Sequence, residues 1–402
     1  MVTSACQLCG SHKLIPIIDL GYHPLADTFL KPEKLNDEEV RYPLRVMLCQ
    51  QCGYATLQYV VPKEKRYRET DYSYTASNSP VSVKHFSEMA AQIISTCGVS
   101  RGHLVADIGS NDGELLNAFR QQASCTVLGI EPAENIAQLA EKRAIPTLHR
   151  FFDTAAVDEM RNRYSKARVI TATNVFNHIT DLNNFMADLF TALDDDGYFV
   201  FESPYLLLMV QQVAFDTIYL EHISYFAIKP LVPFFKRHKL HIAHIEHNDY
   251  MGGSMRVYLT KGKENKKIVK QYISMEEQAG LYTLSTYRNF MEKVLHLRLT
   301  LCSELYRLKN SGRKIIGIGA ATKGNTLLNY CKIDNTLLEF ITDSSPFKIG
   351  KYTPGSHIII KGDEDITPDI THALILPWNI GDFLKEKLKH LNLQFIIPRI
   401  EK

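Results

Sequence analysis

Three groups of residues in this 402-residue chain carry side chains suited to chemistry. The first is a pair of knuckles, Cys6-x-x-Cys9 and Cys49-x-x-Cys52, each followed by a glycine (Gly10, Gly53). Each knuckle presents two thiolates to one metal, and four thiolates complete a tetrahedron with no position open to water. The pattern predicts a structural zinc site on Cys6, Cys9, Cys49 and Cys52, standing in for a core that so short a segment could barely build. The second group is the loop in "LVADIGSNDGELL", where an apolar strand runs into Gly109-x-x-x-Gly113 and then a helix. A second strand ends in "LGIEP", which supplies Glu131 and Pro132. Glycines allow close approach of a ligand, and an acid ending the second strand grips ribose hydroxyls. Asp107, Asp112 and Glu114 crowd this loop; a pyrophosphate is repelled by such charges, whereas a cationic adenosyl ligand is not. The loop from Asp107 to Gly113, Asn111 included, is therefore expected to bind S-adenosylmethionine in preference to NAD. The third group is "FDTIYLEHISYF", in which Glu221 and His222 sit among aromatic and aliphatic residues beside Tyr219. An unpaired carboxylate out of water costs several kcal/mol, so such groups are paired, wet or functional.

Around these residues the text alternates strand-like and helix-like segments from about residue 76, as βαβ units do. The strands read as "HLVADIG", "CTVLGIE", "RVITATN" and "GYFVFES". "ATNVFNHITDL" follows one of them at the carboxyl end, where ligands bind in such sheets. That places Asn174 with the cofactor and brings His178 toward the cleft, although a histidine there also suits a core. Residues 265–312 form a long helical stretch without proline, with Val294, Leu297, Leu301, Leu305 and Leu308 at helical spacing. A fresh α/β unit then opens with "KIIGIGAATKGNTLLNY". Lys323 and Asn325 lie where its strand-to-helix turn could receive a phosphate. Asp343, ending "LEFITD", stands about where a ribose-gripping acid would, but reads more simply as a strand-end turn residue. The expected architecture is α/β in three parts. These are a zinc-binding module over 1–75, a Rossmann-like domain for the adenosyl ligand over 76–295, and a smaller Rossmann-like α/β domain over 296–402.

Composition narrows the class. The chain is 45% hydrophobic and 22% charged with a net charge of +2, which reads as globular and gives no electrostatic reason to bind nucleic acid. No apolar run approaches the ~20 residues that span a bilayer, and no secretory signal opens the chain, so a cytoplasmic protein is expected. The remaining cysteines, Cys97, Cys125, Cys302 and Cys331, are scattered and read as buried fillers.

The chain resembles the sugar C-methyltransferases that act on nucleotide-linked 4-keto-deoxysugars. The resemblance runs through "CQLCG", "GYHPLADTFL", "DIGSNDG", "NVFNHITDL", "FDTIYLEHISYF", "HNDYMGGSMRVYL" and "GAATKGNTLLNY", in that order. It implies a zinc module, a domain for S-adenosylmethionine and a C-terminal domain that helps hold the sugar nucleotide. It also implies that His222 is the general base, with Tyr219 and Glu221 in the same pocket and His178 on the keto oxygen. Leu220 stands where relatives often have histidine. Of the loop "DYSYTASNSP", Tyr74 is preferred to Tyr72 as a sugar contact. Ser254 and Arg256, beside Gly252 and Gly253, are further substrate candidates, with Arg256 divided between a diphosphate and a carboxylate partner. Methylating carbon requires a carbanion equivalent, and a 4-ketone acidifies the neighbouring C3 proton. A base must remove it and a donor must stabilise the enolate. Two other classes compete: a zinc-anchored sugar-nucleotide-binding protein without turnover, and an NAD(P)-dependent oxidoreductase using the "GIGAATKG" loop.

Overall fold

The computed structural model describes residues 1–67 and 72–399. Asp71, the first residue of "DYSYTASNSP", lies outside the described residues. The first sheet is antiparallel and begins with β1 (Leu14–His23), β2 (Tyr42–Cys49) and β3 (Ala55–Leu57). Alternate residues of β2, namely Leu44, Val46 and Leu48, point into the core, as the two-residue period of a strand dictates.

The two cysteine knuckles are built alike. Gly10 N–H donates to the Cys6 carbonyl and Gly53 N–H to the Cys49 carbonyl, both at 2.8 Å. Both glycines adopt positive φ, 75° and 84°, a conformation that costs glycine little. The Sγ atoms of Cys6 and Cys52 are 3.6 Å apart, as are those of Cys9 and Cys49, and all four lie within 4.8 Å of one another. A tetrahedral zinc with Zn–S bonds of about 2.3 Å spaces its sulfurs about 3.8 Å apart, so the four thiolates fit the metal.

The second sheet carries β4 (Leu104–Ile108), β5 (Thr126–Ile130), β6 (Thr147–Leu148), β7 (Ala167–Thr173) and β8 (Leu193–Pro204) as parallel neighbours in the order β8-β7-β4-β5-β6. Every residue of β4 is buried, as expected of a strand covered on both faces. Strand order reverses at β4, which opens a ligand crevice at the carboxyl ends of β4 and β7. Next in the chain, β9 (Ser224–Tyr225) leaves this sheet and pairs with β3 through Ala55 and Tyr225. The segment holding Glu221 and His222 thus completes the sheet of the cysteine module. An antiparallel hairpin, β10 (His241–Asn248) and β11 (Ser254–Thr260), closes the β8 edge.

The third sheet is parallel throughout, in the order β14-β13-β12-β15-β16. Its strands are β12 (Lys314–Ile318), β13 (Ile341–Thr342), β14 (Ile360–Lys361), β15 (Ile370–Ile375) and β16 (Gln394–Ile396). The helical stretch ahead of it is two helices, Lys266–Gln278 and Leu284–Asn310, with Gly280 at φ 66° between them. Val294, Leu297, Leu301, Leu305 and Leu308 are buried along one face as their spacing predicted. The boundary expected between 295 and 296 falls inside this 27-residue helix, because its apolar stripe continues unbroken across that point. One hydrophobic cluster joins residues from Cys6 to Ile396, so the three sheets share a core.

Replacing Cys6 by serine should abolish stoichiometric zinc in elemental analysis and lower the calorimetric melting temperature by more than about 5 °C. Turnover should fall as well, because β3 carries β9. Full zinc content in that variant would remove Cys6 from the ligand set.

Candidate active site

One continuous cavity of about 1580 Å³ runs between the carboxyl ends of the second and third sheets. Its walls include Glu131, Asn174, His178, His222, Lys323 and Asp343, so the central and C-terminal units both contribute. The cysteine module adds Asp27, Arg66 and Tyr67.

At the centre two imidazoles face each other, with ring centroids 5.0 Å apart. His178 ends a short turn after β7. The His222 Nδ1 lies 2.8 Å from the Thr217 carbonyl oxygen. A carbonyl only accepts, so Nδ1 carries the proton and Nε2 the lone pair. His178 is arranged the opposite way. Its Nδ1 lies 2.6 Å from the Tyr67 hydroxyl. Burial pushes the Tyr67 hydroxyl above its usual range, so it remains O–H. That oxygen accepts from Arg66 Nη1 at 3.4 Å, and among the described residues His178 Nδ1 is the acceptor within reach of its own proton. With that proton on Nδ1's side of the bond, His178 holds its hydrogen on Nε2, which is buried without a partner among the described residues. Buried donors are seldom left unpaired, and a ligand atom is what this one lacks. Burial pushes the His178 imidazole well below the usual histidine range, with His222 and Arg66 adding to the effect. Burial likewise pushes His222 down to about 3, against the Thr217 bond that raises it. Both rings are neutral near pH 7: one presents a lone pair and the other an N–H.

Three polar side chains surround the pair. The Tyr219 ring lies 3.8 Å from the His222 ring. Glu221 accepts the Asp27 backbone N–H on Oε1 at 3.1 Å, and its Oε2 is buried without a partner among the described residues. Burial, then the neighbouring Asp27, pushes Glu221 up to about 7. Arg66 fastens the arrangement by donating to the backbone carbonyls of Val61, His178 and Glu221. Asp27, Arg66 and Tyr67 were missed in the sequence reading. Asp27 sits within "GYHPLADTFL", which marked the segment without marking the residue.

The other end of the cavity suits an adenosyl cation. Gly109 has φ 65°, and a Cβ there would lie 2.5 Å from Val175 Cγ2, so the close turn requires glycine. Glu131 accepts the backbone N–H groups of Asn111 (3.0 Å) and Ala133 (2.9 Å), and burial pushes it up to about 7. Asp107 accepts the Thr171 hydroxyl at 2.6 Å and is also pushed up to about 7 by burial. Acids held out of water in this way gain from a cation beside them. Pro132 and Asn174 line the same wall. Asn111 turns its side chain to the Tyr74 carbonyl and the Ala76 N–H, clamping the loop that carries Tyr74 over the cavity.

Residues 6–67 match a family model described as "Putative zinc binding domain", residues 88–244 one described as a methyltransferase domain, and residues 249–398 one described as a C-methyltransferase C-terminal domain. The chain is similar to the C-methyltransferase NovU of Streptomyces niveus, 30% identical over 401 residues, 98% of this chain and 94% of that relative. Among solved structures, an S-adenosylmethionine-dependent methyltransferase from Clostridium acetobutylicum aligns with TM-score 0.36 and 11% identity, covering 45% of this chain and 92% of that one. Magnesium protoporphyrin IX methyltransferase from Synechocystis, with bound SAH, aligns with TM-score 0.35 and 15% identity over 45% of this chain and 83% of its own.

Several residues expected at ligands are committed elsewhere, outside the cavity lining. Arg256, 3% exposed, pairs with the fully buried Glu202 at 2.8 Å and with Glu246 at 3.1 Å; strand alternation turns it into the sheet packing, away from a diphosphate. Ser254 donates to the Tyr250 carbonyl and Asn325 to the Ala26 carbonyl, both as backbone ties. Asp112 accepts the Ser77 N–H and hydroxyl. Gly113, at φ 79°, starts the following helix with Ile145 against it. Lys323 lines the cavity as expected, its Nζ held by the Met251 carbonyl and Asn379. Removing one partner of a buried ion pair strands the other charge, so Arg256→Ala should cost about 3–5 kcal/mol in chemical denaturation. A loss of nucleotide affinity at unchanged stability would restore Arg256 to the ligand.

Proposed function

The chain belongs to the S-adenosylmethionine-dependent C-methyltransferases, and from that premise we propose that it methylates C3 of a nucleotide-linked 4-keto-6-deoxy sugar through an enolate. The observation that carries the proposal is the opposite tautomers of the two facing imidazoles. A carbon acid beside a ketone needs a base at the proton and a donor at the oxygen, and neutral imidazoles supply one of each. His222 Nε2 takes the C3 proton. The C–H electron pair moves into the C3–C4 bond and the carbonyl pair onto oxygen, where His178 Nε2–H donates to it. An imidazolium alone in this buried site is disfavoured. Here it forms together with the enolate's negative charge, so the transfer makes a pair and not a lone ion. Gly109, Glu131, Pro132 and Asn174 would hold the cofactor, which would supply an electrophilic methyl group.

The surrounding residues position the sugar. Glu221 Oε2 accepts a sugar hydroxyl, Tyr219 packs the imidazole of the base, and Tyr74 bounds the sugar from above. Lys323 offers an ammonium to the diphosphate. Tyr67 fixes the tautomer of His178, and Arg66 fixes the backbone beneath both histidines. A reducing cytoplasm suits the four thiolates of the zinc site, and no helix among the described residues is long and apolar enough to cross a membrane.

A panel of 4-keto-6-deoxy sugar nucleotides incubated with enzyme and S-adenosylmethionine should yield one product heavier by a single methyl group in mass spectrometry. No gain on any member, with active cofactor binding, would rule out this substrate class. His222→Asn should lower turnover on the order of 10²–10⁴-fold at unchanged cofactor affinity. Tyr67→Phe should shift the ¹⁵N resonances of His178 toward the Nδ1–H tautomer and lower kcat with little change in KM. Unaltered resonances would separate Tyr67 from that role. Glu131 is raised to about 7, so its carboxylate form, which accepts ribose hydroxyls, is complete only above that pH. Cofactor affinity measured by calorimetry should therefore rise between pH 6 and 8, and Glu131→Gln should bind more weakly with a flat profile.

A further inference from the structure

We propose that Tyr250 is a positioning residue of the transferase, set by its stack on His85 to hold the Tyr74 hydroxyl against the sugar. This rests on the reading above that Tyr74 bounds a sugar.

Tyr250 stands in the turn between β10 and β11, and that turn is held in a conformation its sequence does not favour. Met251 has φ 55°, Gly252 φ 89° and Gly253 φ 114°, three positive values in succession. A methionine in that region is strained, and such strain persists only where the surroundings over-determine it. Here the Tyr250 N–H donates to Asn248 Oδ1 at 2.9 Å, and the Tyr250 carbonyl accepts the Ser254 hydroxyl at 2.9 Å. The Met251 carbonyl accepts Lys323 Nζ at 2.8 Å. A Cβ on Gly253 would lie 2.9 Å from Leu208 Cβ, so the chain passes there at contact distance. The central and C-terminal units grip the turn together.

The ring is fixed as firmly as the backbone. It lies parallel to the His85 imidazole, with 6° between the planes and 3.7 Å between centroids. His85 comes from the helix Pro80–Cys97 and is itself tied down. Its Nε2 is 2.6 Å from Oε1 of Glu202, the fully buried carboxylate that also accepts Arg256 and Asn248. A carboxylate only accepts, so Nε2 carries hydrogen, and the imidazole cannot turn over without leaving that buried oxygen short. At the far end of the Tyr250 ring the hydroxyl donates to Ser82 Oγ at 3.1 Å and shares a hydrogen bond with the Tyr74 hydroxyl. With its own proton directed at Ser82, the Tyr250 oxygen accepts from Tyr74. The Tyr74 oxygen then keeps lone pairs for the cavity, which Tyr74, Ser82, His85 and Tyr250 all line. It is thereby an acceptor for a sugar hydroxyl. Asn111 holds the backbone of the Tyr74 loop, and Tyr250 holds the end of the side chain.

The test is a double-mutant cycle on the zinc-loaded full-length enzyme, with S-adenosylmethionine and the 4-keto-6-deoxy sugar nucleotide that gains the methyl group in the panel above. Tyr250→Phe keeps the stacked ring and removes only the hydroxyl. It should lower kcat on the order of tenfold, with melting temperature and calorimetric affinity for S-adenosylmethionine unchanged. In a Tyr74→Phe background the same substitution should change kcat by less than about twofold, because the group it positions is already gone. His85→Gln, which keeps a donor for Glu202 but loses the stacked ring, should reproduce the Tyr250→Phe loss. An equal loss in both backgrounds, or no loss in either, overturns the proposal, and wild-type kcat in His85→Gln overturns the part given to the stack. If Tyr74→Phe alone turns over normally, the reading that Tyr74 bounds the sugar fails and the proposal falls with it.

Discussion

The active site depends on one buried guanidinium. Arg66 is 4% exposed, and it donates to backbone carbonyls of Val61, His178 and Glu221. Those carbonyls belong to the cysteine module, to the turn after β7 and to the loop before β9. Two imidazoles that face each other at 5.0 Å must be fixed from different parts of the chain, and a planar donor with five N–H groups can hold several acceptors at once. The β3–β9 pairing supports the same junction from the other side. The zinc site, far from the chemistry in sequence, thereby stiffens the segment that carries His222.

Opposite tautomers follow from this scaffold without any charge on the rings. A backbone carbonyl can only accept, and among the described residues His178 is the acceptor within reach of the Tyr67 phenol, so each imidazole is told which nitrogen keeps its hydrogen. Burial keeps both neutral, and it also raises Glu221, Glu131 and Asp107 to about 7. Asp107 and Glu131, raised chiefly by burial, gain from a positive charge beside them. A sulfonium cofactor supplies it, which gives a physical reason for a cationic ligand in place of a pyrophosphate.

Much of this was legible in the sequence, and the illegible part has a common cause. The knuckles, the Gly109 loop and the acid ending β5 are local patterns, in which spacing alone sets the geometry. Tyr67 and Arg66 act on His178, 111 and 112 positions away, and no local pattern records such a meeting. The same holds for β9, which joins the sheet of a module that ends far upstream. Arg256 and Ser254 illustrate another limit: their residue types suit a ligand or an internal partner alike, and the direction a strand residue faces depends on register with β8 and β10. The limit expected at 295 lies within the helix Leu284–Asn310, whose apolar stripe continues across it.

The most direct test of the two-imidazole account is solvent exchange at C3. Enzyme, a 4-keto-6-deoxy sugar nucleotide and a cofactor analogue that cannot give up a methyl group are incubated in deuterated buffer, and deuterium at C3 is followed by NMR. The account predicts wash-in by the wild type, none by His222→Asn, and slower exchange by His178→Ala, whose enolate lacks its donor. Normal exchange by the His222→Asn variant would contradict it and move the base to another group, with Tyr219 first in line.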